Sequence, residues 1–110
     1  MSLNIQEATQ VLQGLQEWSD FVVEIEKAVI TVLTDGNKQA WYGELIEIVM
    51  KLVDSAIPVL SKAISDSKLI GEQWAATSTQ AKVMFFINLA VQHGMTIADA
   101  FFKKDSTPTV

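Results

Sequence analysis

From Val11 onward, apolar residues return in alternating steps of four and three: Leu15, Trp18, Val22, Ile25, Val29 and Val32. An α-helix, with about 3.6 residues per turn, gathers such a series onto one face. A strand would instead need a period of two. The polar residues of the next long run follow the same rule. Glu44, Glu47, Lys51, Asp54, Pro58, Ser61 and Ser65 are spaced by threes and fours and form one narrow stripe. Leu45, Ile46, Ile48, Val49, Leu52, Val53, Ala56, Ile57, Val59, Leu60, Ala63 and Ile64 cover the remaining circumference. An ordinary surface helix is apolar over a narrower arc, so this one is expected to touch neighbours on two sides.

The punctuation is that of a helical protein, with two prolines and five glycines. Asn4 and Glu7 have the spacing of a capping box that opens the first long helix. Thr34-Asp35-Gly36-Asn37 closes it, with Gly36 suited to a left-handed C-terminal position. Pro58 lacks an N–H and crowds the carbonyl of residue 54. Because it lies on the polar stripe, the freed carbonyl can face water, which predicts a curved helix or a break near residues 55 to 58. Residues 65 to 79 read as a turn, a short helix around Leu69 to Ala76, and a cap at Ser78 or Thr79. A third long helix, QAKVMFFINLAVQH, is apolar almost all round and is closed by Gly94. Thr96 and Asp99 then have the spacing of a second capping box, opening a short last helix that ends at Lys103 and Lys104. The expected fold is all-α: an up-down helical bundle of three long helices plus one or two short ones. It forms a single domain over residues 1–104, with a flexible tail at 105–110.

Composition narrows the function. Eight basic residues face 13 acidic ones, for a formal net charge of −5. Nucleic-acid binding requires clustered Lys and Arg to displace counterions, and no such cluster occurs. There is no cysteine, which removes disulfides, thiolate metal sites and a thiol nucleophile. The N-terminal residues lack the basic start and apolar core of a signal peptide. No uninterrupted apolar run reaches the roughly 18 residues of a membrane span. A cytoplasmic location is the expectation, with leaderless secretion as an alternative. No Gly-rich phosphate loop, nucleophile elbow or zinc-protease motif occurs, and no Glu-x-x-His pair of the di-iron type. No cofactor, metal or enzymatic activity is expected.

Some residues break the pattern. Glu26 lies off the polar stripe, with Val22, Val23, Val29 and Ile30 as its helical neighbours, and Ser19 stands one heptad earlier on the same line. A carboxylate there must reach solvent, find a partner such as a lysine, or take up a proton, and its functional reading is a register-setting or partner-binding group inside an interface. His93 is the sole histidine, and at a helix end it reads as a cap. Catalysis by it would need a convergent carboxylate. The carboxylates Glu17, Asp20 and Glu24, and Glu44 with Glu47, read as solvated faces. Trp18, Trp41 and Trp74 are expected in the core, with Trp41 and Phe102 the best placed to act as interface anchors.

The Trp41-Tyr42-Gly43 turn after a long first helix resembles the Trp-x-Gly motif of the secreted WXG helical hairpins. The second half departs from that pattern by carrying further apolar helices. The stretch NLAVQHGMTIADA is similar to apolar helical segments of R-body ribbon proteins. Neither resemblance carries a function to this chain.

The apolar residues exceed what three helices need for one shared core, which points to contact outside the fold. The expected function is a non-enzymatic protein–protein interaction module that self-assembles as a homo-oligomer or filament, or binds another protein. Its candidate interface is Val22, Glu26, Val29, Trp41, Leu45, Val49, Leu52 and Phe102. The alternative is a membrane-active or lipid-binding bundle that opens onto a bilayer or acyl chain.

Overall fold

The computed structural model describes residues 3–35 and 41–105. Five helices follow in order: α1 (Ile5–Gln13), α2 (Gln16–Asp35), α3 (Trp41–Ser65), α4 (Gly71–Ala75) and α5 (Thr79–Asp105). The all-α bundle of three long and two short helices is therefore present. Its shape is a rod of 54 × 25 × 22 Å.

Contacts at each end set the topology. Phe21, early in α2, shares a groove with Leu60, late in α3. Trp41, which begins α3, stacks edge-on against Phe102 near the end of α5, with ring centroids 5.4 Å apart. The long helices thus run up, down and up.

The boundaries depart from the sequence expectation in two places. The first seam is not one helix. It breaks at Gly14, whose N–H donates to the Val11 carbonyl at 3.1 Å, while Leu15 N–H donates to Leu12 O at 3.0 Å. This turn lets α1 lie against both α2 and α3. The predicted cap at Asn4 is present, with its Oδ1 accepting from Glu7 N–H at 3.1 Å. Asn4 N–H donates across the fold to Gln73 Oε1 at 2.9 Å, which ties α1 to α4.

The second departure is that Gly94 does not end a helix. α5 continues through it to Asp105, so no separate last helix exists and the helix includes the first residue of the expected tail. Gly94 is buried, and a Cβ there would lie 3.3 Å from Leu45 Cδ1 and 3.6 Å from Val29 Cγ2. The glycine serves close approach of α5 to α2 and α3. Thr96 is no cap either: its hydroxyl donates to the Gln92 carbonyl at 3.0 Å, as helix-interior threonines do.

α3 continues through Pro58, so the break considered near residues 55 to 58 does not occur. α4 forms where a short helix was expected, and Ser78 Oγ accepts from Ala81 N–H at 3.2 Å to cap α5. The predicted Gly36 stop and the tail at 106–110 lie outside the described residues.

The core runs the length of the rod, from Leu12, Trp74 and Phe86 through Ile25 and Val53 to Leu33 and Leu45. α3 packs against all four other helices, which explains why its polar stripe is so narrow. One member of that stripe is not solvated by water alone. Ser61 Oγ accepts a 2.9 Å hydrogen bond from Nε1 of the fully buried Trp74. A buried indole N–H needs such a partner.

Candidate interaction surfaces

The eight residues singled out in the sequence separate into three groups. Val29, Leu45 and Val49 are buried in the core where α2, α3 and α5 meet, and offer no surface to a second chain. The alternation of threes and fours marks a buried seam, and here the seam's partners lie within the same chain. Val22 and Leu52 are half-buried against that core. Trp41 and Phe102, expected as anchors for a partner, are also half-buried and pack on each other. Phe101 joins them edge-on to Phe102, and Trp41 meets the exposed Tyr42. Together they close one end of the bundle.

Glu26 is exposed, at an edge of α2. Its carboxylate faces His93 on α5, with Oε1 3.9 Å from Nε2. The structure thus joins the two residues that broke the sequence pattern separately. Helical periodicity cannot foresee the pair, because 67 positions separate them and only the docking of α5 on α2 brings them together. His93 Nε2 is shielded from solvent and has no hydrogen-bond partner among the described residues. At 3.9 Å the Glu26 oxygen is too distant for a hydrogen bond. Both side chains are partly exposed, so the contact adds little to stability. Lys27 pairs with Glu24 at 4.0 Å.

Open grooves run between the long helices and between α1 and α5. The α2–α3 groove encloses about 350 Å³ and is lined by Phe21, Leu52, Ala56, Val59 and Leu60, with Glu17, Asp20 and Glu24 along its α2 side. The α3–α5 groove, of about 300 Å³, is apolar apart from Lys51 and Asp54. The α1–α5 groove, of about 490 Å³, is lined by Ile5, Thr9, Ala81, Met84, Phe85, Asn88, Leu89 and Gln92, with no charged residue among them. Ile5 is 56% exposed and Met84 47%. The outward residues of α1, Gln6, Gln10 and Gln13, are also uncharged.

Sequence reasoning did not find this face, although a signal was present. From Val83 to Ala98 the chain has no Asp, Glu, Lys or Arg. In a chain where charged residues make up 19%, such a gap marks either deep burial or an interface. α5 has both, on opposite sides: Phe86 and Ala90 are buried while Met84, Asn88 and Gln92 are exposed.

Among the described residues no group of three or more His, Asp or Glu is placed to hold a metal ion, and no helix is long and apolar enough to cross a membrane. Comparisons of this chain with protein-family models, curated proteins and solved structures found no match.

Proposed function

We propose that this chain is a non-enzymatic helical interaction module that self-associates through its α1–α5 face. The observation that carries this reading is the lack of charge along that groove, combined with the exposure of Ile5 and Met84. A two-fold contact sets the same patch of each copy against itself. For a chain of net charge −5, most such contacts would bring carboxylates together. The α2–α3 groove, with three acids along one side, is unsuited to self-pairing. The α1–α5 face has no such penalty. Its exposed Ile5 and Met84 and half-buried Leu89 supply apolar area, and its Thr, Asn and Gln side chains can hydrogen-bond across a symmetric contact. Depletion of Lys, Glu and Asp with enrichment of Met is the composition of interface centres.

Light scattering coupled to size-exclusion chromatography over a concentration series tests the proposal. The wild-type chain should run as a dimer or larger assembly. Met84→Glu places like charges at the contact and should raise the dissociation constant at least about tenfold, equivalent to 1.4 kcal/mol. A wild-type monomer at every concentration, or a Met84→Glu chain that assembles as well as wild type, would refute it. Assembly alone predicts no leakage of dye from vesicles, so leakage would favour a membrane-active bundle instead.

A further inference from the structure

The α2–α3 groove has a different chemistry from the face assigned to self-association. Its floor is apolar, built by Phe21, Leu52, Ala56 and Leu60, with Val59 on the rim 56% exposed. One wall is acidic. Glu17, Asp20 and Glu24 stand three and four residues apart, so they share one face of α2. Among the described residues, no basic residue lines the groove. Lys27 stands 4.0 Å from Glu24 and offsets that end of the wall, so Glu17 and Asp20 carry most of its negative charge, while Lys62 is held by Asp66 at 3.2 Å. Asp20 accepts a hydrogen bond from the Gln16 amide at 3.0 Å, which leaves its charge intact.

We infer that this groove binds a cationic amphipathic helix of another protein. The dimensions suit such a ligand. The acidic wall spans Glu17 to Glu24 and the floor spans Leu52 to Leu60, each about 10–12 Å at 1.5 Å per residue, or two helical turns. Apolar side chains at i, i+3 or i+4, and i+7 of the ligand would lie on the floor. Lys or Arg on its flank would meet the acidic wall, where opposite charges speed encounter and select the partner. The charge pattern argues against two other occupants. A second copy would bring more carboxylates against the wall, and an anionic bilayer would be repelled by it.

The test uses the full chain and two fluorescein-labelled synthetic helices of identical leucine pattern, one with lysines and one with glutamates on the polar face, read by fluorescence anisotropy. The lysine helix should bind saturably and the glutamate helix should not. Combined Glu17→Gln, Asp20→Asn and Glu24→Gln substitution should weaken binding at least about tenfold, and Val59→Ser, which removes apolar surface without adding charge, should also weaken it. Neutralising three exposed acids away from the groove, Glu47, Asp54 and Glu72, should leave affinity within about twofold. Every altered side chain is at the surface or half-exposed, so circular dichroism should report an unchanged fold. The inference is overturned if no saturable binding occurs, if the distant neutral variant loses as much as the groove variant, or if Val59→Ser binds normally. The Met84→Glu chain should retain peptide binding, so this result and the oligomer result can fail separately.

Discussion

Single atoms decide several features of this bundle. The indole N–H of Trp74 is fully buried, and its 2.9 Å bond to Ser61 Oγ is the partner that makes burial tolerable. Ser61→Ala should cost about 1–3 kcal/mol, because the donor would remain buried without an acceptor. Urea unfolding followed by Trp fluorescence measures it, and an unchanged midpoint would refute this role for the bond. The glycines divide by what surrounds them. A Cβ on Gly71 would meet the Ser65 carbonyl oxygen, an impossible contact with backbone that holds α4 against the end of α3, whereas a Cβ on Gly43 would meet nothing within 4 Å. Gly71→Ala should therefore destabilise by about 1–3 kcal/mol. Gly43→Ala, within α3 and exposed, should stabilise by about 0.5–1 kcal/mol through helix propensity alone. Thermal melts of the two variants should move in opposite directions. The sequence showed neither role: Ser61 counts there as one more polar-stripe residue, and nothing local tells which glycine has room for a Cβ.

Among the elements, α3 and α5 show how packing overrides local signals. Gly94 and Thr96 each have the chemistry of a helix boundary, yet α5 runs through both. Continuation is favoured because Gly94 sits where α5 comes closest to Leu45 and Val29, and because residues beyond it, including Ala98 and Phe102, have core to cover. Pro58 is the complementary case, a helix breaker retained in the interior of α3. It is exposed, and its ring removes one N–H from the helix. Pro58→Ala should restore that hydrogen bond and raise stability by up to about 3 kcal/mol. A variant no more stable than wild type would mean that α3 already has its full strength around the proline. Chemical denaturation distinguishes the two.

For the whole molecule, the distribution of charge matters more than its total. The net charge of −5 is concentrated on helix faces such as the α2 wall, while the α1–α5 face has none. Salt should therefore act with opposite signs on the two proposed contacts. Exposed charges are screened beyond about 8–10 Å at physiological ionic strength. Raising salt should weaken binding of a lysine-rich helix at the α2–α3 groove. It should preserve or strengthen self-association, because the general repulsion between two acidic copies falls. Anisotropy and light scattering over one salt series would reveal the divergence, and parallel responses would contradict the division of roles.

The sequence by itself determined the fold class, the presence of three long helices, the cap at Asn4, a cap at Ser78 or Thr79, and the wide apolar face of α3, but not the break at Gly14 or the continuation through Gly94. Each feature it determined depends on period and on neighbours a few residues away, and the chain carries that information locally. The tertiary structure alone decided which apolar residues became core and which stayed at the surface. Val29, Leu45 and Val49 look like interface residues until α5 is laid across them, and Met84 looks like core until its side of α5 is left uncovered. It also brought Glu26 to His93 and Trp74 to Ser61. Such pairings arise from how whole helices dock, and helical periodicity reports which face a residue lies on without saying what will cover that face.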